Sequence, residues 1–475
     1  MSSLDSTTVA GAVRKAVSGP KLGFLAVTLL FVVFAASNQS QAAEKRLEGR
    51  PYASERILYA FPEYQNDATQ AFGNLMVTAK GALLGMSFDG GRYGNGAVFE
   101  LTPKGSSYAE SLPYSFQSYQ TGTGGLVSDN HGVLYGVTGS GGEYGLGSVF
   151  ELTPTPSGYQ YAELYSFKGG RGDAKDGEYP SSPPVPDSRG RLFGTTQYGG
   201  VDVNDGLGGW GVAYELKRTK AGWVESVIYD FLGDSEEHPG GDSYPNGPLV
   251  IGADGSLYGT GYEGGTSCPE PTDWGCGTAF RLTPGKSGYS ETIFYEFQGG
   301  MDGALPNTGL VADATGALYG TTSVGGGGHC YPYLGSGFWT GCGVVFKLTP
   351  STSGYTESIL HRFQGGQSDG DEPNGQIALD PSGNVYGATY YGAGPCSITK
   401  GSGFHIMCGQ GTLYELSPGA SGYSESILNV FNGASKGVSA STGVHPSGVL
   451  YFDGSLFGVA SGGPHGQGIV YEATP

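Results

Sequence analysis

Short segments in which apolar and polar residues alternate recur along the whole chain, separated by turns rich in Gly, Pro, Asp and Ser. Alternation with a period of two predicts half-buried β-strands, and the turn residues mark their ends. Residues 307–363 illustrate the pattern, with predicted strands at 309–312, 317–322, 343–349 and 355–363. Four short strands joined by short turns predict a small antiparallel sheet.

This four-strand unit occurs seven times, because three sequence tags recur seven times in fixed order. A Leu-Tyr-Gly-like tag begins at Leu83, Leu134, Leu192, Leu257, Leu318, Val385 and Leu456. A Val-Phe-Glu-Leu-like tag begins at Val98, Val149, Ala213, Ala279, Val345, Leu413 and Val470. A Leu-Tyr-x-Phe-like tag ends at Phe61, Phe116, Phe167, Phe231, Phe297, Phe363 and Phe431. Four-stranded units repeated in this way are typical of a β-propeller.

The ends of the repeat array predict how it closes. The segment 57–61 is a fourth strand with no earlier strands of its own unit, and 470–472 is a third strand with no fourth after it. Pairing the two removes the exposed edges. The sequence therefore predicts an all-β fold: a seven-bladed β-propeller of four-stranded antiparallel blades, closed by pairing the N-terminal strand with the C-terminal blade. An open solenoid-like stack of units is the alternative.

Some repeated positions are expected to serve packing alone. Tyr319, Phe346, Phe363 and their counterparts in the other units are predicted to fill the spaces within and between blades. Gly320 and its counterparts are expected to allow a close backbone approach or a bulge.

The repeat resembles the GloVer tandem repeat of bacterial surface and secreted proteins. The resemblance is carried by the segments GLVADATGALYGTTSVGG, GVVFKLTP and GYTESILHRF, and it covers nearly all of residues 52–475. It implies a propeller-like fold and an extracytoplasmic location, and it implies no activity. Many members of that family carry a C-terminal sorting signal; this sequence ends at Pro475 without one, so attachment through such a signal is not expected.

The N-terminal segment has the order of a secretory signal peptide. Three basic residues precede an apolar run at 22–36, which is shorter than a membrane-spanning helix needs, and a small-x-small site follows at 40–42. Residues 1–42 are therefore predicted to be a signal peptide and residues 43–475 a single propeller domain. A retained N-terminal anchor is the alternative. The expected location is secreted, periplasmic or at the cell surface, with no membrane insertion after cleavage.

Composition and charge narrow the choice of partner. The 475 residues include 89 Gly, 32 Tyr and 22 Phe, which disfavours both a helical fold and a disordered chain. The net charge is −19, and becomes −21 without residues 1–42, which carry three basic residues and one acidic residue. Such a chain is not expected to bind nucleic acid or an anionic membrane surface. A monomer is expected.

The long and irregular loops are expected on one face. Strands alternate in direction, so the loops between second and third strands open on the same face as the loops that leave the fourth strand. This loop face carries the predicted functional site. Each of three successive units has two cysteines in its loop between second and third strands, which predicts three local disulfides: Cys268 with Cys276, Cys330 with Cys342, and Cys396 with Cys408. A zinc site is disfavoured, because no C-x-x-C pair is present.

Aromatic and imidazole side chains in these loops are the candidate ligand-binding residues: Trp210, Trp274, His329, Tyr331, Trp339 and His405. Exposed aromatic rings bind sugars and partner side chains. The alternative is that they pack on one another beneath the loops.

Three acidic residues in the loops after the fourth strand are further candidate ligand-binding residues: Asp302, Asp369 and Asp371. Asp-Gly pairs are first of all turn residues, although their oxygen ligands also suit calcium. No complete calcium-loop pattern occurs, so no metal or other cofactor is predicted, with calcium as the one candidate ion.

Three functions remain open. The first is a binding module for a glycan or an extracellular protein through the loop face. The second is an extracytoplasmic carbohydrate-active enzyme, a polysaccharide lyase or a glycoside hydrolase, although no catalytic motif is present and the catalytic residues stay unassigned. The third is a structural envelope protein. Exposed aromatics would favour binding, and acids of shifted pKa facing the channel would favour an enzyme.

Overall fold

The computed structural model describes the backbone of residues 56–62, 67–117, 122–170, 175–201, 209–233, 241–268, 275–286, 288–328, 330, 341–352, 354–394, 396–400, 404–432 and 443–475, and the side chains of all of these except 396–400 and 404–407. They belong to a compact unit that spans Tyr52–Pro475. The predicted signal peptide, residues 1–42, lies outside the described residues. The described chain is all-β, and no segment of it forms a helix that could cross a membrane.

The strands follow one another in chain order with short turns. The first nine are β1 (Arg56–Ala60), β2 (Ala68–Val77), β3 (Leu83–Gly90), β4 (Ala97–Lys104), β5 (Ser107–Ser115), β6 (Gly122–Ser128), β7 (Leu134–Thr138), β8 (Ser148–Thr155) and β9 (Gly158–Ser166). The next ten are β10 (Gly177–Glu178), β11 (Val185–Pro186), β12 (Leu192–Thr196), β13 (Tyr198–Gly199), β14 (Val212–Thr219), β15 (Gly222–Asp230), β16 (Ser243–Ile251), β17 (Leu257–Glu263), β18 (Thr278–Gly285) and β19 (Gly288–Glu296).

The remaining strands complete the later units. They are β20 (Ala304–Pro306), β21 (Val311–Ala312), β22 (Leu318–Val324), β23 (Val344–Ser351), β24 (Gly354–Arg362), β25 (Gly370–Leu379), β26 (Val385–Gly392), β27 (Cys396–Lys400), β28 (Phe404–Cys408), β29 (Thr412–Gly419), β30 (Gly422–Val430), β31 (Val444–Phe452), β32 (Ser455–Ser461) and β33 (Ile469–Ala473).

Each repeat unit forms an antiparallel sheet of consecutive strands. Three sheets have the orders β11-β12-β14-β15, β16-β17-β18-β19 and β25-β26-β29-β30, and in a fourth both β20 and β21 pair with β22, followed by β23 and β24. The sheets β2-β3-β4-β5 and β6-β7-β8-β9 are joined into one eight-stranded sheet by a parallel bridge between Asn74 and Gly125. Strands β10 with β13 and β27 with β28 form small two-stranded ribbons on the loops.

The first and last strands of the described chain belong to one sheet, of order β1-β33-β32-β31. The Phe61 amide donates a hydrogen bond of 3.1 Å to the Gly468 carbonyl. In an internal unit the Phe363 amide donates a bond of the same length to the Gly343 carbonyl. The pairing between the N-terminal strand and the last unit that the sequence predicts is therefore present, with the geometry of an uninterrupted unit.

Aromatic residues of the tags fill the sheets, as predicted: Phe346 and Phe363 are fully buried and Tyr319 nearly so. Gly320 lies opposite Phe346 in the ladder, and a Cβ atom on Gly320 would lie 2.5 Å from Cζ of that ring. The expectation of a close backbone approach or bulge at this glycine is wrong, because the group that comes close is an aromatic ring. The pair recurs at Gly85/Phe99, Gly136/Phe150, Gly194/Tyr214, Gly259/Phe280, Gly387/Tyr414 and Gly458/Tyr471.

The first strands of the units lie next to one another. Asn246 donates to the Asn307 carbonyl (3.2 Å), and Asn307 donates to the Pro373 carbonyl (3.1 Å). Six units contribute to the lining of one cavity of about 310 Å³, through residues that include Asn74, Gly124, Pro183, Pro248, Leu310 and Gln376. The first strands thus surround a shared central space.

Candidate functional site

Two of the predicted disulfides are confirmed, Cys268–Cys276 and Cys330–Cys342, and both lie in loops between second and third strands. Cys408 is also disulfide-bonded, and its backbone lies directly opposite Cys396 in the β27–β28 ribbon. The Cys396 side chain lies outside the described residues. Disulfides persist in oxidising compartments, so they indicate an extracytoplasmic environment.

Most of the aromatic candidates lie outside the described residues: Trp274, His329, Tyr331 and Trp339 entirely, and His405 in its side chain. Trp210 is described and half-buried. Its ring packs edge-on against Tyr244, with 5.1 Å between ring centroids.

A cleft opens on the loop face between the second and third units, with a volume of about 400 Å³. This size lies in the range of small-molecule sites, roughly 300–1,000 Å³. We call it the Tyr179 cleft. It is lined by Thr123, Gly139, Ser140, Tyr179, Pro180, Ser181, Gln197 and Tyr198.

Aromatic rings form one wall of the Tyr179 cleft and continue beyond it. Tyr179 and Tyr198 are 41% and 38% exposed, and their ring centroids lie 5.9 Å apart. Tyr198 contacts Tyr244 of the next unit at 5.2 Å, and Tyr244 in turn contacts Trp210. These four residues form an aromatic ridge that crosses two units. Trp210, which the sequence did single out, is its most distant member.

The rest of the described lining combines Gly139 and Pro180 with uncharged polar side chains. The Thr123 hydroxyl donates to the Pro180 carbonyl at 3.0 Å, which fixes one side of the cleft. The Ser181 hydroxyl oxygen is buried and has no hydrogen-bond partner among the described residues. A buried hydroxyl without a partner is costly, so a ligand group that hydrogen-bonds to it would be favoured. Gln197 adds an amide, and among the described residues no carboxylate or cation lines the cleft.

A carboxyl group adjoins the aromatic ridge outside the cleft. Burial raises the pKa of Glu263 from its ordinary 4.5 to about 7. Burial, together with the charge of Glu263, raises the pKa of Tyr244 to about 12. Tyr244 therefore remains a neutral hydrogen-bonding group at physiological pH, and Glu263 is poised between its two charge states.

The acidic candidate Asp302 lies at a junction between neighbouring units. It accepts hydrogen bonds from the Tyr295 hydroxyl (2.7 Å) and the Gln298 amide (2.8 Å). Burial and the proximity of Asp302 raise the pKa of Glu357, which comes from the outer strand of the next unit. The two carboxyl groups lie close enough to repel each other when both are ionised, and a proton held on Glu357 relieves that repulsion.

The same group of one tyrosine and two carboxyl groups recurs between other units. We therefore assign it a structural role. Tyr165 donates to Asp176 at 2.7 Å, and burial together with Asp176 raises the pKa of Glu225 to about 8. Tyr229 donates to Glu291 at 2.9 Å, and burial together with Glu291 raises the pKa of Asp242. We call these sites acidic junctions.

Asp369 and Asp371 lie at the next junction along the chain, where a histidine replaces the tyrosine. His361 Nε2 lies 3.5 Å from Asp369 and 3.7 Å from Glu425. Burial alone would lower the pKa of His361, but Asp369 and Glu425 outweigh it and raise that pKa. Asp371 is buried beside the Cys330–Cys342 disulfide, and burial followed by the charge of Glu372 raises its pKa to about 7. The structure therefore does not bring Asp302, Asp369 and Asp371 together in one open site.

The acidic junctions predict that stability falls as pH rises from 5 to 8. Glu225 is protonated in the folded state below about pH 8 but ionised in the unfolded state above 4.5, so the folded state holds the extra proton in this window. We expect Glu225→Gln to flatten the slope of unfolding free energy against pH by up to about 1.4 kcal/mol per pH unit. Urea titrations at several pH values measure the slope. The exposed Glu143→Gln serves as control, and equal slopes in Glu225→Gln and wild type would contradict the assignment.

Calcium is predicted to leave the thermal stability of the protein unchanged. Both oxygens of Asp302 accept hydrogen bonds from the protein, and so do both oxygens of Asp369, from the Gln364 and Gly370 amides. Calcium needs six to eight oxygen ligands gathered at one place, whereas Asp302 and Asp369 lie at different junctions. We expect equal thermal midpoints in millimolar calcium and in chelator, and a midpoint that rises with calcium concentration would contradict this.

Sequence reasoning missed Tyr179, Tyr198, Tyr244 and Glu263. The sequence signals pointed to the long insertions, whereas Tyr244 and Glu263 lie near the ends of β16 and β17, and Tyr179 and Tyr198 lie at the short β10–β13 ribbon. The available signal was variation at a fixed repeat position: the residue before the proline that opens the first strand is Tyr179 in one unit, Tyr244 in the next and Leu305 in the next, while the proline itself is retained.

Comparison with solved structures shows weak similarity to proteins that include two described as lactonases. A candidate 6-phosphogluconolactonase from Bacteroides uniformis is 12% identical with a TM-score of 0.46, over 80% of this chain and 88% of that one. A gluconolactonase from Xanthomonas campestris is 12% identical with a TM-score of 0.38, over 90% of this chain and 99% of that one. At these TM-scores the likeness does not bear on function. No curated protein matches the sequence.

The family comparison is more informative. The model of the Gloeobacter/Verrucomicrobia repeat matches residues 50–267 and 175–395. The two overlapping matches together cover well over half of the chain and contain the residues of the Tyr179 cleft. The resemblance seen in the repeat tags is thus confirmed, and the chain belongs to the Gloeobacter/Verrucomicrobia repeat family.

Proposed function

We propose that the protein is an extracytoplasmic binding module that holds an uncharged glycan in the Tyr179 cleft. The observation that carries the proposal is an exposed pair of tyrosine rings beside hydroxyl and amide groups, in a cleft whose described lining residues carry no charge. Secretion through the predicted signal peptide is part of the proposal, and it agrees with the two disulfides.

The chemistry of the cleft matches a sugar ring. One face of a pyranose carries C–H groups that pack on an aromatic ring, and its rim carries hydroxyl groups that both donate and accept hydrogen bonds. Tyr179 and Tyr198 offer the rings, while Ser181, Gln197 and Thr123 offer the polar partners. A carboxylated sugar would find no cation among the described lining residues, and the net charge of −19 would repel it.

We further propose that the units form a closed seven-bladed propeller that holds the cleft rigid. In support, β1 completes the last sheet, and the Gln70 amide in the first unit donates to the Gln467 carbonyl in the last at 2.6 Å. Asn74 also donates to Gln376 at 2.9 Å, across units that are distant in sequence. A closed scaffold keeps ligand-binding loops in register, which lowers the entropy lost on binding.

A glycan array probed with the purified protein tests the binding proposal. We expect signals from neutral oligosaccharides and none from uronate-containing or sulfated ones. A protein that is folded by circular dichroism but binds no glycan would contradict the proposal and leave a protein partner. Binding restricted to acidic glycans would contradict the part that rests on the uncharged lining.

A carbohydrate-active enzyme is the second candidate, and Glu263 favours it. A carboxyl with a pKa of about 7 beside an aromatic ridge has the properties of a general acid. A glycoside hydrolase needs a second carboxyl across the bond that breaks, and none of the residues described in the cleft lining supplies one. Product analysis of each bound oligosaccharide tests this function: cleavage that is lost in Glu263→Gln would establish the enzyme.

A further inference from the structure

Six residues at one repeat position have left-handed backbone conformations although none is glycine. Their φ angles run from +50° to +59°, and they open the first strands of six units: Gln70, Tyr179, Tyr244, Leu305, Glu372 and His445. In the second unit the equivalent residue, 121, lies outside the described residues. Non-glycine residues in this region are strained, by of order 1–3 kcal/mol each.

The neighbouring unit holds each of these residues in place. The Tyr179 amide donates to the Leu146 carbonyl at 2.9 Å, and the Leu305 amide donates to the Cys276 carbonyl at 2.8 Å. The same bond recurs from Gln70, Tyr244, Glu372 and His445 to Gln467, Trp210, Cys342 and Gln410. Five of the six residues precede a buried proline, which packs against a glycine of the preceding unit. The backbone conformation is therefore imposed from both sides, and glycine would fit it without strain.

The side chains are nevertheless retained and accessible. Pro180 and Pro245 are buried, whereas Tyr179 and Tyr244 before them are open to solvent in whole or in part. The accessible residue is Gln, Tyr, Tyr, Leu, Glu or His in different units, so its chemistry varies on a constant backbone. At these six positions the backbone is strained because a side chain is present, and the side chain differs from unit to unit. We expect this combination where side chains recognise a ligand.

Two of these residues belong to the proposed glycan site, since Tyr179 lines the cleft and Tyr244 continues the aromatic ridge. A second patch has the same construction in the last two units. His445 stacks on Tyr390 with 4.1 Å between ring centroids and 15° between planes, and Tyr391 contacts His445 edge-on at 5.2 Å. Burial, followed by the charges of Tyr390 and Glu372, raises the pKa of Tyr391. The strained positions thus present ligand-binding chemistry at places other than the cleft.

We propose that Gln70, Tyr179, Tyr244, Leu305, Glu372 and His445 form a specificity ring around the central space on the loop face. The specificity ring contacts an oligosaccharide that places one sugar in the Tyr179 cleft and its other sugars against neighbouring units. The inference rests on the proposed function, because it names the residues that choose among glycans. The six side chains select among glycans, and the backbone conformation that supports them is the same in each unit.

Glycine substitution separates this role from a structural one. In Tyr244→Gly, Glu372→Gly and His445→Gly the backbone strain is relieved, so the thermal midpoint is expected to stay the same or rise by a few degrees. The glycan-array profile of the intact protein is expected to change, with at least a fivefold loss for the longer oligosaccharides and little change for single sugars. Asp453→Gly is the matched control: φ is +49° there, but the residue lies in a turn on the opposite face.

The outcomes distinguish the two proposals. A changed profile in the three variants with an unchanged profile in Asp453→Gly supports the specificity ring. Wild-type binding that all three glycine variants reproduce for every glycan overturns the specificity ring and leaves the Tyr179 cleft as the binding site. A wild-type protein that binds no glycan overturns the proposed function and this inference with it. A lowered thermal midpoint in the three variants would show that their side chains support the fold, which also overturns the inference.

Discussion

Replacing both Tyr179 and Tyr198 by alanine is expected to abolish measurable glycan binding without unfolding the protein. The two rings form the aromatic wall of the cleft, and neither is buried in the core. A ring that stacks on a sugar in a binding hot spot contributes of order 1–2 kcal/mol, so each single replacement should weaken binding about 5- to 30-fold. The double variant should weaken it by about thirtyfold to several hundredfold. Titration with an immobilised neutral oligosaccharide measures both effects.

Two other tyrosines provide the control for surface aromatics in general. Tyr93 and Tyr144 are 48% and 47% exposed, and both lie in loops between second and third strands, outside the cleft. Alanine at either position is expected to leave the affinity unchanged. Loss of binding in Tyr93→Ala and Tyr144→Ala equal to that in the cleft variant would show that the ligand is held elsewhere on the loop face.

Phe61→Ala is expected to destabilise the protein by about 3–5 kcal/mol, the usual cost of emptying a buried aromatic site. Phe61 is fully buried, although it lies near the beginning of the described chain. Its ring packs against Phe99 of the first unit at 5.1 Å and belongs to a cluster that also contains Phe457 and Val470 of the last unit. In a closed propeller this position supports the fold as strongly as any internal one. Urea-induced unfolding measures the change.

Phe297→Ala is the matched internal variant. Phe297 occupies the same tag position in the middle of the chain, is also fully buried, and packs against Phe346 at 5.0 Å. We expect the two substitutions to have equal costs within about 1 kcal/mol. An open stack of units would fray at its ends, and Phe61→Ala would then cost much less than Phe297→Ala. That result would contradict closure.

The fold could be predicted in detail because each unit repeats the same physical solution. The tags placed the second, third and fourth strands of each unit, and Val345 and Val98 fall in β23 and β4 as expected. The incomplete units at the two ends predicted the pairing of β1 with β33. The reason for the tag glycine was not predicted, because the sequence does not show that Gly320 faces the Phe346 ring across the ladder.

The candidate site was harder to predict, because two signals pointed elsewhere. Trp274 and Trp339 are ligand-binding candidates because they are aromatic residues in long loops, and this role stays a prediction. Asp302 and Asp369 look like ligands in sequence, but in the structure they accept hydrogen bonds from their own units, and a carboxyl of the next unit lies beside each. Which turn acids lie against a neighbouring unit depends on contacts between repeats, and sequence periodicity within one repeat does not contain that information.

The acidic junctions connect composition to architecture. A net charge of −19 would burden a compact domain with self-repulsion, and buried carboxyls that stay protonated, as Glu225 does, lower the charge of the folded state. The acidic junction at Asp176 adjoins the β10–β13 ribbon next to the Tyr179 cleft, but none of the described residues that line the cleft is a carboxyl. The titrating carboxyls thus lie between units, next to the candidate ligand site but outside its described lining.

The most direct test of the account is a crystal structure of the protein with the neutral oligosaccharide that the array selects. We expect one sugar ring in van der Waals contact with Tyr198 and one of its hydroxyl groups hydrogen-bonded to the buried Ser181 hydroxyl. Electron density for the sugar at any other place, with the Tyr179 cleft holding only water, would contradict the central claim.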